Sequence, residues 1–285
     1  MNSRYKGIFF ITLSALSFAF MNAFVRLSGD LPSVQKSFFR NLVAFFIALI
    51  MIIRSKDGFK IEKGNMKYMI LRATFGTVGI LCNFYAVDHL VLSDASMLNK
   101  MSPFFVIIFS FLLLKEKMTP AQGLAVAGAF IGSLFVIKPT FTNMALVPSL
   151  IGLCGGICAG IAYAMVRILG QRGQKGSSVV IFFSGFSCVV TLPCLILDFH
   201  PMSGLQILTL LGAGLAAAGG QFGITAAYYH APAKEISIYD YSQIIFSTIL
   251  GFFLFGQVPD RYSVLGYVII CAMALWMFIY NKNRD

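Results

Sequence analysis

Apolar residues along the chain are gathered into ten runs, which short polar segments separate. The runs cover residues 5–28, 33–54, 67–88, 93–114, 120–138, 147–170, 177–197, 205–230, 234–256 and 261–281. A helix needs roughly 20 apolar residues to cross a hydrocarbon core of about 30 Å, and each run is close to that length. The pattern therefore predicts an all-α membrane protein with ten transmembrane helices. The polar segments are too short to hold a soluble domain.

Composition and charge agree with this prediction. Hydrophobic residues make up 58% of the chain and charged residues 12%, and the mean hydropathy is +0.81. The net charge of +11 could suggest a nucleic-acid partner, but the cations collect in loops that alternating spans bring to one side. These cations are Arg54, Lys56, Lys60, Lys63, Lys67, Lys115, Lys117, Arg172, Lys175, Lys282 and Arg284. The positive-inside rule then predicts a multi-pass protein of the cytoplasmic (inner) membrane with both termini in the cytoplasm. We expect the basic loops to face lipid head groups of the bilayer, and no nucleic acid.

The chain matches itself at one shift, of 141 residues, at which polar residues coincide. The matches are Val25–Leu27 with Val166–Ile168, His89 with His230, Ser96 with Ser237, and Glu116 with Gln257. Each half holds five spans, an odd number, so the second copy must enter the membrane from the opposite side. We therefore predict two inverted five-helix repeats, residues 1–141 and 142–285, a construction common among secondary transporters.

Two of the apolar runs carry polar insertions at equivalent places. The 141-residue shift sets Asp240 against Asn99, which Lys100 follows. At a rise of 1.5 Å per residue, both insertions are expected within about 10 Å of the midplane, on opposite sides of it. Pro103 lies just beyond Lys100. It removes a helix hydrogen bond and frees a carbonyl, which a bilayer tolerates only where protein or water satisfies it.

Four segments resemble the EamA-type ten-helix permeases of the drug/metabolite transporter superfamily. They are FFRNL (38–42), ILRATFGTVGILCNFYAV (70–87), LNKMSPFFVIIFSFLLLKEKMTPAQ (98–122) and YDYSQIIFSTILGFFLFGQVPDRYSVLGYVII (239–270). The resemblance implies transport of small metabolites through a central cavity lined by the first, third, fourth, sixth, eighth and ninth helices. The chain departs from the pattern at Ile244, where the first half has Pro103, and at Gln257, where the first half has Glu116.

Charged residues inside these spans are candidates for a substrate site. An acid in a membrane helix is costly unless it faces water or a partner, so Asp240 is either a functional residue or half of a structural pair. Lys100 is either its counter-charge or a side chain that reaches toward the outer interface. Arg40, in the second span, can be structural or a ligand. The expected substrate-binding residues are Asp240, Lys100, Asn99, Tyr239, Gln243, Tyr85, Tyr163 and Arg40.

Other polar or small residues have more ordinary interpretations. Tyrosines such as Tyr85 and Tyr163 are also typical of interfacial belts. His89 and His230 end their spans, where a histidine can relay protons or simply close a helix. The glycine series at 152, 156 and 160 predicts close helix packing. The six cysteines all fall within spans, and we expect no disulfide, metal or cofactor.

A cavity that offers both signs of charge suits a zwitterionic cargo. The leading hypothesis is an alternating-access secondary transporter, an exporter or exchanger of a small polar metabolite such as an amino acid. An intramembrane enzyme would require a nucleophile or metal motif that the chain lacks, and a passive channel would require rings of polar residues. Desolvation favours a protonated Asp240, whereas a close Lys100 would favour its carboxylate. Because the repeat separates the two groups, we expect Asp240 to couple transport to protons.

Overall fold

The computed structural model of the protein describes residues 3–55, 58–114, 119–138, 145–230 and 237–282. Within these ranges the regular elements are helices, with no strand. They are α1 (Ser3–Leu27), α2 (Ser33–Ser55), α3 (Met66–His89), α4 (Leu92–Asn99), α5 (Ser102–Leu114), α6 (Pro120–Ile137), α7 (Leu146–Gln171), α8 (Gly176–Leu197), α9 (Gly204–His230), a 3₁₀ turn (Ser237–Tyr241), α10 (Ser242–Phe255) and α11 (Arg261–Lys282). The prediction of an all-α membrane protein is confirmed.

Seven of the described helices, α1–α3, α7–α9 and α11, are long and apolar enough to cross a membrane. The other three predicted spans differ from single long helices. The run 93–114 forms two helices, α4 and α5, and the run 234–256 forms the 3₁₀ turn and α10. The helix α6 is apolar over the shorter stretch Gly123–Ile137. The count of ten continuous helices is thus approximate.

The break between α4 and α5 follows from the local sequence. Pro103 has no N–H, so the carbonyl of Asn99 cannot receive the usual helix bond. The N–H of Phe104 bonds to Met101 O at 3.0 Å, which leaves Lys100 O without its helical partner. The hydroxyl of Tyr241 donates to Lys100 O at 3.2 Å. One carbonyl at the break, that of Lys100, is therefore satisfied by a side chain from the second half of the chain.

The principal helix pairings each join the first half of the chain to the second. Helix α1 packs along α9, α3 along α7, α2 along α8, and α6 along α11. Glycines permit close approach: a Cβ at Gly155 would lie 3.2 Å from Gly79 O, and a Cβ at Gly266 would lie 2.7 Å from Gly132 O. Close packing of small residues holds membrane helices together. The two halves therefore share one core, and their inverted-repeat relation stays a prediction.

Contacts between connecting segments sort them into two ends of the bundle. At the proximal end, where α1 begins, Arg172 Nε donates to Asn65 Oδ1 at 2.8 Å. There Gln174 Oε1 also accepts from the N–H of Glu62 at 3.0 Å. At the distal end, where α1 finishes, Gln206 Nε2 donates to Ser28 O at 3.1 Å. Gln35 and His200 exchange two bonds there, of 2.8 and 3.0 Å. Both ends are thus cross-linked between distant parts of the chain.

Candidate functional site at a helix break

Lys100 and Asp240 form a largely buried ion pair between the end of α4 and the 3₁₀ turn. The Lys100 Nζ lies 2.6 Å from Asp240 Oδ2. The lysine side chain is 8% exposed and the carboxylate 14%. Lys100 caps the end of α4, and Asp240 belongs to the 3₁₀ turn before α10. Neither residue is inside a regular α-helix, so both connections leave room for charged side chains to meet.

This contact corrects one prediction. The repeat had separated Lys100 and Asp240 across the midplane, and that separation was the reason to expect a proton-binding Asp240. The expectation treated both spans as continuous helices. The break after Lys100 and the tighter 3₁₀ turn change the rise per residue in the two spans, so depths calculated for regular helices do not apply. The lysine side chain also extends several ångströms from its backbone. The separation from which proton coupling was argued is therefore absent, and proton coupling by Asp240 stays a prediction.

At Asp240 and two residues beyond it, two polar atoms are buried without a hydrogen-bond partner among the described residues. They are the second carboxylate oxygen of Asp240, Oδ1, and the hydroxyl of Ser242. Buried polar groups are rarely left unpaired in proteins, and such exceptions are typical of ligand or water sites. The site therefore retains an acceptor and a hydroxyl for a further group.

The remaining predicted site residues fall in several places. Gln243 is buried at the start of α10, and Asn99 is half-buried at the break. Tyr239 and Tyr163 are each 39% exposed. Tyr85 stacks on His89 near the end of α3, with ring centroids 4.1 Å apart.

Arg40 is buried in α2, where its Nη1 donates to Asn41 Oδ1 at 2.6 Å. Its neighbours include α8, to which Asn41 is bonded through Ser187. The structure thus brings Lys100 and Asp240 together, with Asn99, Tyr239 and Gln243 adjacent to them in sequence. Tyr85 and Arg40 make their described contacts elsewhere.

A buried polar network between four helices was not predicted. Asn83 of α3 donates to Asn22 Oδ1 of α1 at 3.2 Å. Asn22 donates in turn to Ser96 Oγ of α4 at 3.4 Å, and Ser96 shares a hydrogen bond of 2.7 Å with Ser247 of α10. All four residues are buried. In the sequence, the only sign of this network is one asparagine within each of two apolar runs, Asn22 and Asn83.

Nearby, Gln257 joins α10 to the start of α4. Its Oε1 accepts the N–H of Leu92 at 3.0 Å. Gly256, with φ at +62°, ends α10, and the N–H of Gln257 then bonds back to Gly251 O. The left-handed glycine turns the chain sharply at the end of α10, and Gln257 then points toward α4. The equivalent acid of the first half, Glu116, lies outside the described residues.

Three acids near the distal end of the bundle have side-chain partners. Lys36 is fully buried and contacts both oxygens of Asp88, at 2.7 and 2.8 Å. Asp94 accepts the hydroxyl of Tyr267 at 2.5 Å. Lys138 forms an ion pair with Asp260. These contacts link α2 to α3, α4 to α11, and α6 to the start of α11.

The two span-ending histidines have the helix-closing arrangement. The Nδ1 atom of His89 donates to Tyr85 O at 2.8 Å, and that of His230 donates to Ala226 O at 2.9 Å. Each acceptor is a carbonyl four residues back in the same helix. The arrangement favours the structural interpretation over a proton relay.

Comparison with known proteins finds that most of the chain matches one protein family. The model of the EamA-like transporter family matches residues 5–138 and 150–279. The chain is 30% identical over 267 residues to the pseudopaline exporter CntI of Pseudomonas aeruginosa, covering 93% of each protein. It is 29% identical over 280 residues to solute carrier family 35 member G1 of Homo sapiens, covering 93% of this chain and 77% of that one.

A riboflavin transporter of Brucella anthropi is 26% identical over 259 residues, with 87% of this chain and 88% of the relative covered. Among solved proteins, one crystal structure superposes with a TM-score of 0.67 and covers 99% of both chains, at 15% identity. At that identity the likeness concerns the fold alone. The names of the three relatives describe different cargoes or none.

Proposed function

The chain belongs to the EamA-like transporter family and is therefore a membrane transporter rather than an enzyme, and we propose that it moves a small zwitterionic metabolite by alternating access. The observation that carries the proposal is the ion pair of Lys100 with Asp240 beside a break in a membrane helix. An amino acid or a related metabolite is the cargo class that such a pair fits. We place the protein in the cytoplasmic membrane with both termini in the cytoplasm, working as an exporter or exchanger.

The ion pair supports this cargo through its chemistry. An ammonium group of the cargo can replace Lys100 at Asp240, and a carboxylate of the cargo can replace Asp240 at Lys100. Breaking a buried ion pair is unfavourable when one charge is left alone, but a zwitterion compensates both charges at once. The unbonded Asp240 Oδ1 and Ser242 hydroxyl supply further polar contacts for the same groups. When the cargo binds, the neutral pair of Lys100 with Asp240 is replaced by two protein–cargo ion pairs, which are also neutral in total.

The buried network at the distal side of the ion pair supports a closed state. Asn22, Asn83, Ser96 and Ser247 connect α1, α3, α4 and α10 between the ion pair and the distal end. Opening toward that end would have to separate these bonds. Polar bonds between membrane helices are worth about 0.6 kcal/mol on average, so a network of this size can be broken during a transport cycle.

The test is ligand-dependent thermal unfolding of the purified protein. The panel contains amino acids, their amides, which lack the carboxylate, and their N-acetyl derivatives, which lack the ammonium group. Ligand that binds the folded state raises Tm by mass action. We expect stabilisation by compounds that carry both charges, and loss of that stabilisation in Lys100→Ala and in Asp240→Ala. Equal stabilisation of wild type and both variants would show that the cargo binds away from the ion pair.

A further inference from the structure

Two arginines, Arg40 of α2 and Arg72 of α3, are buried where these helices face α8. Only 3% of Arg40 and 6% of Arg72 is exposed. Arginine cannot lose its charge in a protein, and a buried charge without a partner is strongly unfavourable. Arg72 was not among the residues singled out in the sequence, because it follows closely on the lysines of the α2–α3 connection.

The two guanidinium groups lie along one face of α8. The Cζ atom of Arg72 is 4.1 Å from the centroid of the Phe183 ring. Arg40 donates to Asn41, and Asn41 Nδ2 donates to Ser187 Oγ at 2.9 Å. Phe183 and Ser187 are four residues apart, which places them one turn apart on the same face. Both guanidinium groups are positively charged, so they repel each other across this face.

Gly76 of α3 leaves space for the guanidinium group of Arg72. A Cβ at this position would lie 2.1 Å from Nη1 of Arg72 and 2.8 Å from the Phe183 ring. Any larger residue would displace the guanidinium from its place between α3 and α8. The position of Arg72 therefore depends on the absence of a side chain one turn along its own helix.

Neither arginine contacts a carboxylate in the described part of the chain. The described acids have other neighbours or are exposed: Asp88 with Lys36, Asp240 with Lys100, Asp260 with Lys138, Glu62 with Lys60, Asp94 with Tyr267, Asp198 near His200, and Asp30 at the surface. The Nε–H groups of both arginines are buried and unbonded. Two cations and two unbonded Nε–H donors thus lie against the same face of α8, and none of the described acids contacts them.

We infer that Arg40 and Arg72 form a binding site for an oxyanion, a carboxylate or phosphate group, between α2, α3 and α8. Guanidinium groups bind such groups through paired, charge-assisted hydrogen bonds, and an anion would remove the mutual repulsion of the two cations. The oxyanion can belong to the cargo, to a phospholipid head group or to free phosphate.

The first experiment measures Tm of purified, delipidated protein with sodium phosphate or sodium acetate against sodium chloride at equal ionic strength. We expect each oxyanion to raise Tm by a few degrees over chloride. We expect Arg72→Gln to abolish the rise, and the exposed-site control Arg261→Gln to retain it. No rise in the wild type, or an equal rise in Arg72→Gln, would overturn the inference.

A second variant keeps both charges in case Arg72→Gln fails to fold. Gly76→Ala displaces the guanidinium of Arg72, and we expect it to weaken oxyanion binding at least tenfold. Gly170→Ala is the matched control, because no heavy atom lies within 4 Å of the added Cβ. An unchanged oxyanion affinity in folded Gly76→Ala would show that the arginine pair only stabilises the fold and does not bind the oxyanion.

Two further measurements identify the source of the oxyanion. Native mass spectrometry of protein extracted with its lipids would show a retained anionic phospholipid, absent from Arg72→Gln, if the site holds a head group. Competition between phosphate and amino acids would be seen if it holds the cargo's carboxylate. These binding measurements do not depend on transport. Loss of oxyanion binding in Lys100→Ala alone would overturn the arginine site and leave the proposed function intact.

Discussion

At the scale of single residues, the ion pair of Lys100 with Asp240 is the contact on which the proposed transport depends. Lys100 and Asp240 stood out because charges in apolar runs are rare and costly. Their contact could not be predicted, because a repeat shift assigns depth as if every helix were regular. Asn22 and Asn83 were missed for another reason: the direction of a lone amide on a membrane helix depends on its neighbours.

The first residue-scale prediction concerns Asp240→Asn. The amide removes the charge and the proton site but keeps the shape of the side chain. We expect the variant to lose accumulation driven by a pH gradient, and to exchange cargo across proteoliposomes more slowly than the wild type but at a rate independent of pH, because the carboxylate that would pair with the cargo's ammonium group is gone. The measurement is uptake with and without an imposed gradient. Gradient-driven accumulation at the wild-type level would leave Asp240 as a ligand or structural partner only.

A second residue-scale prediction concerns Asp260, in the connection before α11. Partial burial alone would raise the pKa of Asp260, but its bonds with Lys138 and the N–H of Ser263 outweigh this and lower the pKa. A lowered folded pKa stabilises the protein above the unfolded value of about 3.9, and the stabilisation is lost as pH falls through the folded pKa.

We therefore expect Asp260→Asn to lower Tm slightly near pH 6, since the side chain is half exposed, and to match the wild type in acid, once Asp260 of the wild type is protonated. The control is Asp198→Asn, which removes an exposed charge at the same end. A Tm difference that persists unchanged at low pH would show that charge is not the cause.

At the scale of secondary structure, the apolar runs predicted the helices well because membrane crossing demands length and hydrophobicity together. The spacing of Gly152, Gly156 and Gly160 likewise indicated close packing. The structure shows its partner: these glycines of α7 face the α4–α5 break, with Leu98 and Phe105 against them. The partner could not be read from sequence, because the spacing marks a face of α7 without showing which helix covers it.

The element-scale prediction concerns Gly156. A Cβ there would lie 2.6 Å from the backbone oxygen of Leu98, which cannot move without disturbing the break. Overpacking typically costs about 1–3 kcal/mol, so Gly156→Ala should lower Tm in detergent and weaken cargo binding at the ion pair. Gly170→Ala in the same helix serves as the control and should keep the wild-type Tm. Equal Tm values for the two variants would contradict tight packing at the break.

At the scale of the whole molecule, the two halves are interleaved. Helices of the first half pair mainly with helices of the second, so neither half has a complete core of its own. Pairing between helices is a tertiary property, and a hydropathy pattern carries little information about it. The sorting of the connections into proximal and distal ends agrees with spans that alternate in direction.

The prediction at this scale concerns topology. Reporter fusions after residue 62, in the proximal α2–α3 connection, should report the cytoplasm, and fusions after residue 145 should report the opposite side. The reason is the excess of lysine and arginine in the proximal connections. A fusion after residue 173, in the proximal α7–α8 connection, is the internal control. Finding 62 and 145 on the same side would rule out the inverted repeat.

The ion pair between Lys100 and Asp240 also bears on the response to membrane voltage. The empty site is neutral, and it stays neutral when a zwitterion occupies it, so cargo exchange should carry no net charge across the bilayer. A transmembrane potential acts with about 2.3 kcal/mol per elementary charge per 100 mV. Exchange should therefore proceed at the same rate with and without an imposed potassium diffusion potential. A cycle that also moves a proton should instead be accelerated by a potential of one sign and slowed by a potential of the other.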